Sequence, residues 1–269
     1  MKKPNILWKI PILFFIFSVF FPLLIIAVWS FTGRWPWPLL LPKDLTGRGI
    51  QELFGGYSGA VQTLGSSILI ALIVALLAVV IGMMTARALV FYDFPGKGLI
   101  EFSTILPIII PGTVFAMGVH VLFIKMGLAD NVLGVIIVHL ISALPYSIKI
   151  MTDNTAAFGN KLEEQARVLG ASPQQIIRDI TLPSLLPGII SSASMAYILS
   201  FSQYFLTLII GGGNVKTFAM MMVPYLQSGD RTVASTYSLV FICSTLLVFI
   251  ILEKAVRKFY KNDNNYFFA

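Results

Sequence analysis

The chain alternates between long apolar stretches and short polar connections. Six stretches lack Asp, Glu, Lys and Arg over the roughly 20 residues that a helix needs to cross a membrane. They cover residues 10–32, 62–86, 102–124, 131–148, 180–215 and 232–252. Leu, Ile, Val and Phe dominate them without strict alternation, which favours helices over barrel strands. The pattern predicts an all-α fold with six transmembrane helices.

Composition supports a polytopic membrane protein. Of the 269 residues, 57% are hydrophobic and 12% are charged, about half the charged share of a soluble domain. This excludes a soluble enzyme, a disordered chain and a disulfide-stapled secreted domain, and the one cysteine, Cys243, has no internal partner. Lys2, Lys3 and Lys9 before an apolar run resemble a secretory signal, but the run is too long for one, so we interpret it as a retained first span.

The net charge of +7 follows the connections between the spans. The N-terminus, the second-to-third and fourth-to-fifth connections and the C-terminal tail carry 13 of the 19 basic residues. The other side carries 6, namely Arg34, Lys43, Arg48, Lys125, Lys216 and Arg231. By the positive-inside rule, both termini are cytoplasmic. Because no basic stripe is interleaved with aromatic residues, we expect no nucleic acid partner.

This topology divides the chain into three parts. Residues 1–56 hold the first transmembrane helix and an external loop, 57–260 form the core, and 261–269 form a cytoplasmic tail. The external loop is rich in Trp and Pro around positions 35–38, which favours an interfacial aromatic belt over a partner-docking loop. The core contains the one sizeable cytoplasmic loop, at about residues 152–183.

Two short helices are predicted inside this cytoplasmic loop. In the first, 161–169, Leu162, Ala166 and Leu169 share one face. The charged positions of this helix are predicted to be exposed: Glu163, Glu164 and Arg167.

The turn between the two helices has its own signals. Gly170 follows the last apolar residue, where a left-handed conformation ends a helix. Ser172, Pro173 and Gln175 fit the N-cap, N1 and N3 positions of a capping box.

The pattern Leu-Pro, three residues, Pro-Gly occurs twice, at 106–112 and at 182–188. Both copies lie toward the cytoplasmic ends of predicted spans. Four identities in seven positions are too few to establish a duplication. Two helix starts or kinks that use the same chemistry are the simpler interpretation.

The sequence offers no catalytic, metal-binding or cofactor-binding motif. His120 and His139 lie in different spans without charged neighbours, which favours buried helix-contact histidines over a metal site or proton relay. The near absence of ionisable residues from the spans argues against an ion-coupled carrier. We therefore expect no catalytic residue, metal or cofactor, and an energy source outside the chain.

One cytoplasmic segment resembles a known family. The pattern of the EAA loop of permeases in binding-protein-dependent ABC importers is EAA, three residues, G, nine residues, I, one residue, LP. The residues at these positions here are Glu164, Gln165, Ala166, Gly170, Ile180, Leu182 and Pro183. Every spacing matches, and Gln165 departs from the usual middle Ala.

The resemblance implies a type I ABC importer permease fold in the inner membrane of a prokaryote, surrounded by lipid. The first loop helix would be a coupling helix that inserts into a groove of a separate ATP-binding subunit. The implied coupling loop comprises Glu163, Glu164, Gln165, Ala166, Arg167, Gly170, Ile180, Leu182 and Pro183. Further implied partners are a second permease, identical or paralogous, and an extracytoplasmic solute-binding protein. The chain itself would hydrolyse nothing.

Residues 200–207, followed by 211–213, resemble the same region in one subgroup of these permeases. That subgroup handles polyamines, ferric iron, thiamine or phosphonates. Tyr197, Gln203, Tyr204 and Asn214 are candidates to line the solute pathway, and interhelical hydrogen bonding is an equal alternative for them. A self-contained channel or secondary carrier is the alternative function, and a membrane-embedded enzyme is a third.

Overall fold

The computed structural model describes residues 6–33, 35, 39, 42–55 and 58–263. Lys2, Lys3, Arg34 and Trp37 of the predicted topology and loop, with residues 264–269 of the tail, lie outside the described residues. Within the described ranges the fold is all-α, as predicted, with one isolated pair of bridged residues, Thr32 and Leu45.

The helices follow one another along the whole described chain. They are α1 (Ile6–Ser30), α2 (Arg48–Phe54), α3 (Ala60–Phe91), α4 (Lys97–Ile109), α5 (Gly112–Met126), α6 (Val132–Phe158), α7 (Lys161–Val168), α8 (Pro173–Ile176), α9 (Leu182–Phe201), α10 (Phe205–Gly211), α11 (Phe218–Ser228) and α12 (Arg231–Asp263). A π-helical turn, Ile177–Thr181, joins α8 to α9.

Five helical segments of the described chain are long and apolar enough to cross a membrane. They are Pro11–Ser30, Ala60–Phe91, Val132–Phe158, Pro173–Phe201 and Arg231–Lys254. The pair α4 and α5 meets the same test together but is bent by 109°. The prediction of six spans is confirmed when this bent pair counts as one span.

The third predicted span is broken rather than continuous. Ile110 adopts an extended conformation between α4 and α5 because the ring of Pro111 disfavours a helical residue before it. By contrast, the fourth and shortest predicted span lies in an unbroken helix of 27 residues that accommodates Pro145. The long stretch 180–215 is also divided, because α9 ends at Phe201 and α10 begins at Phe205.

The described chain forms two compact units. The first contains the residues up to Thr63 together with Met221–Ser244, and the second contains Leu64–Met220 and the residues from Thr245 onward. In the first unit, Arg48 of α2 forms an ion pair at 2.5 Å with Asp230, the residue before α12. The guanidinium of Arg231 lies 5.2 Å from the ring centroid of Trp29 in the same unit.

The second unit is built around the packing of α6 against α9. Ser147 of α6 donates to the carbonyl of Ala78 at 2.6 Å and accepts from Ser192 of α9 at 2.5 Å. These bonds satisfy hydroxyl groups that have no access to water. Ala86, Met151 and Leu185 form an adjacent buried apolar cluster.

The two Leu-Pro-x-x-x-Pro-Gly segments have different structures. The first contains the break between α4 and α5, whereas Pro187 of the second lies inside the continuous helix α9. Gly112 faces open space, but a Cβ on Gly188 would lie 2.7 Å from Cγ of Asn154 on α6. The shared pattern therefore serves a bend in one place and a close helix contact in the other.

This difference yields a matched pair of substitutions. We expect Gly188→Ala to destabilise the chain by about 1–3 kcal/mol, because the added methyl group overpacks the α6–α9 contact. Gly112→Ala is the control, since its Cβ meets nothing within 4 Å. Melting temperatures of the two variants in detergent check this expectation, and equal values would contradict it.

Candidate functional site

The helix α7 ends as the sequence predicts. Gly170 adopts a left-handed conformation with φ of 86°. Its N–H donates to the carbonyl of Arg167, and the N–H of Ala171 donates to that of Ala166, both at 3.0 Å. These two bonds form a Schellman motif, which satisfies carbonyls that the helix end leaves free.

The predicted capping box at the start of α8 is confirmed. Ser172 Oγ accepts from the N–H of Gln175, and Gln175 Oε1 accepts from the N–H of Ser172 at 2.8 Å. Pro173 occupies the first turn, where its missing N–H costs nothing. The loop between the fourth and fifth spans is therefore a defined helix–turn–helix unit.

The prediction that Glu163 is exposed is wrong. Its residue surface is 5% exposed. Its two carboxylate oxygens accept from Nη1 and Nη2 of Arg87 at 2.7 and 2.8 Å, and Thr181 Oγ1 donates to the same carboxylate at 2.7 Å. The bidentate hydrogen bond from Arg87 lowers the pKa of Glu163 by more than burial of the carboxylate raises it. The pKa of Glu163 therefore lies below its ordinary value.

The apolar side of α7 faces outward instead. Leu162 and Leu169, which the sequence places on one face with Ala166, are both exposed, and Val168 and Leu169 reach 88% and 86% exposure. The usual rule that apolar residues point toward the core fails here because an ion pair forms the inward contact. We call Leu162, Val168 and Leu169 the apolar loop surface.

The remaining residues of the predicted coupling loop lie in α7, in the π-helical turn and at the start of α9. Glu164 is exposed and accepts from Asn160 Nδ2 at 2.6 Å, while Gln165 and Arg167 are exposed and Ala166 is half-buried. Ile180 lies in the π-helical turn, and Leu182 and Pro183 begin α9. The helix–turn–helix unit thus leads directly into a membrane-spanning helix.

A second polar cluster lies at the break between α9 and α10. His139 of α6 is buried, with Nδ1 2.9 Å from Ser200 Oγ and Nε2 2.9 Å from Thr207 Oγ1. Since Thr207 Oγ1 donates to the carbonyl of Gln203 at 3.0 Å, it accepts from Nε2–H, and Nδ1 accepts from Ser200. His139 therefore holds both sides of the break, which agrees with its predicted helix-contact role.

The candidate pathway residues occupy different environments. Gln203 and Tyr204 are half-buried at the break, and Asn214 is exposed near the carbonyl of Asp130. Tyr197 is 0% exposed and stacks on Phe201 at a centroid distance of 5.5 Å. Its side chain belongs to the helix-packing core and has no surface with which to line a passage in this conformation.

Sequence reasoning missed Arg87 and Thr181. Arg87 counted only as a basic residue of the second-to-third connection, and Thr181 lay within the pattern between Ile180 and Leu182. The available signal was a single Arg at the end of a span, on the same predicted side of the membrane as the acidic loop helix.

A solved structure shares this fold. It is a crystal structure of a bacterial ABC transporter involved in the import of the acidic polysaccharide alginate, with a TM-score of 0.70 and 16% identity over 93% of this chain and 95% of that chain. The fold is that of an ABC importer permease. The family model of the binding-protein-dependent transport system inner membrane component matches residues 78–261, and the chain belongs to this family.

Curated relatives agree with this assignment. A molybdate/tungstate transport system permease protein of Pyrococcus abyssi is 29% identical over 74% of this chain and 79% of its own length. A spermidine/putrescine transport system permease protein of Haemophilus influenzae is 24% identical over 74% and 77%, respectively. The chain is a multi-pass membrane protein and a permease subunit of an ABC importer.

The Arg87–Glu163 pair makes stability depend on pH. Because the pKa of Glu163 is lowered, its contribution is complete above the ordinary value of 4.5 and is lost as pH falls through the lowered pKa. We expect the melting temperature of Glu163→Gln to lie below that of the parent chain at neutral pH, with the gap narrowing under acidic conditions. Melting curves recorded from neutral to acidic pH check this expectation, and Glu164→Gln, at an exposed position, is the control. A gap that does not change with pH would contradict the expectation.

Proposed function

We propose that the chain forms a solute pathway together with a second permease, identical or paralogous. Separate ATP-binding subunits hydrolyse ATP, and the resulting movement switches the pathway between outward-facing and inward-facing states. The observation that carries this proposal is the apolar loop surface on a short, well-capped helix. Such exposed apolar side chains are typical of a docking surface rather than of a loop that only closes a bundle.

The coupling loop divides its roles between residues. Leu162, Val168 and Leu169 enter an apolar groove of the ATP-binding subunit, and Glu164 and Arg167 make charge-assisted contacts around it. Gln165 and Ala166 complete the docking helix. Gly170 sets the angle to α8, while Ile180, Leu182 and Pro183 carry the chain into α9.

The distribution of basic residues orients this loop. The side that contains α7 carries 13 of the 19 Lys and Arg residues, so α7 and both termini face the cytoplasm. The membrane is then the inner membrane of a prokaryote. The chain divides functionally into residues 1–56, the permease core 57–260 and the tail 261–269. A solute-binding protein delivers its cargo to the external face.

The solute is a small polar compound such as a polyamine, iron, thiamine or a phosphonate. Gln203 and Tyr204 at the α9–α10 break, with Asn214 beyond α10, are the proposed pathway residues. One relative is named for oxyanions and another for polyamine cations. Selection by charge therefore belongs to the delivery protein, and the pathway needs neutral hydrogen-bonding groups.

Co-purification with a co-expressed ATP-binding subunit tests docking. We expect Leu169→Glu to lower the affinity by about tenfold or more, because a carboxylate would enter an apolar groove. Leu45→Glu is a matched control, since Leu45 is 81% exposed but lies in the external loop. Equal loss in both variants, or none in Leu169→Glu, would refute docking through this surface.

The alternative function has a distinct outcome. Solute uptake driven by an ion gradient, with the purified chain alone in liposomes, would establish a channel or secondary carrier instead.

A further inference from the structure

One buried residue links α7 to the membrane-embedded part of the fold. Glu163 is the buried residue of α7, and its carboxylate contacts two other segments. Arg87 belongs to the last part of α3, and Thr181 to the π-helical turn that continues into α9. Three segments therefore meet at a single carboxylate, which is buried, whereas Leu169 just beyond α7 is exposed.

We propose that Arg87 is a positioning residue that acts through Glu163 to transmit the displacement of α7 to α3 and α9. This inference rests on the proposed function, since it requires an ATP-binding subunit that moves α7. It assigns Glu163 to transmission rather than to docking. It also adds Arg87 and Thr181 to the residues that couple ATP hydrolysis to the pathway.

The geometry of the pair suits transmission. Two parallel bonds of 2.7 and 2.8 Å fix the orientation of the carboxylate as well as its distance. The guanidinium also lies 5.3 Å from the ring centroid of Phe91, which further restricts its plane. Lys at position 87 would keep the positive charge but could not make two parallel hydrogen bonds to the carboxylate. It would therefore not transmit rotation of α7.

The third bond makes the connection to α9. Thr181 is buried, and its hydroxyl donates to the same Oε1 that Arg87 Nη1 contacts. The α9 helix ends at Phe201, immediately before the break that contains Gln203. A rigid displacement of α7 is thereby passed along α9 to the proposed pathway residues, whereas the apolar loop surface remains free to hold the partner.

The experiment follows nucleotide-driven movement at the break and needs no knowledge of the solute. Gln203→Cys is introduced together with Cys243→Ser, and the complex with its ATP-binding subunit reacts with N-ethylmaleimide with and without ATP. In this parent complex we expect ATP to change the reaction rate. Arg87→Glu and Glu163→Arg, added singly, should reduce that change by at least about fivefold, the scale of an allosteric coupling. In both single variants the ATP-binding subunit should stay bound and should continue to hydrolyse ATP.

The charge swap supplies the matched control. Arg87→Glu combined with Glu163→Arg should restore the ATP-dependent change, because the pair is rebuilt and the Thr181 hydroxyl can accept from an arginine. If the swapped chain fails to fold, Thr181→Val removes one bond with little change in volume. That variant should still reduce the ATP-dependent change while the subunit stays bound.

Several results would overturn the proposal. If the single variants and Thr181→Val keep the full ATP-dependent change in reaction rate, the contacts of Glu163 with Arg87 and Thr181 transmit nothing. Loss of the ATP-binding subunit from the single variants would make Glu163 a support of docking instead. A parent complex that binds the subunit but shows no ATP response at position 203 would refute transmission through α9. A parent chain that binds no ATP-binding subunit would refute the proposed function as well.

Discussion

The carboxylate of Glu163 has almost no access to water, so its charge must be compensated within the protein. Arg87 and Thr181 supply three hydrogen bonds to it, and removing Arg87 would leave the carboxylate charge without its main partner. This requirement favours the orientation of α7 in which Glu163 faces the fold. Val168 and Leu169 are exposed at the end of the same helix, so the charged contact and the apolar surface belong to different parts of one short segment.

A similar constraint governs the broken helices. Backbone polar groups at membrane depth need partners inside the protein. At the α9–α10 break, the N–H groups of Ser202 and Gln203 donate to carbonyls of α9, and the hydroxyl of Thr207 satisfies the carbonyl of Gln203. His139 joins the two ends through its ring nitrogens. The N–H groups of Ser202 and Gln203 and the carbonyl of Gln203 are thus paired without continuing the helix.

The local features of the fold could be predicted from the sequence, because apolar length, caps and turns act over short distances. The spans, the end of α7 at Gly170 and the capping box at Ser172 belong to this group. The inward orientation of Glu163 could not be predicted, since its partner Arg87 is 76 residues away in the chain. The bend before Pro111 and the contact at Gly188 arise from one shared pattern, and only tertiary packing separates them.

The exposed end of α7 also has a consequence for synthesis of the complex. Val168 and Leu169 are two large apolar side chains that the chain by itself leaves exposed. Exposed apolar surface of this kind is a signal for aggregation and for capture by chaperones and proteases. If the proposed docking holds, a permease made in excess of its ATP-binding subunit would be open to removal, and the same loop surface would limit how much unpartnered permease accumulates.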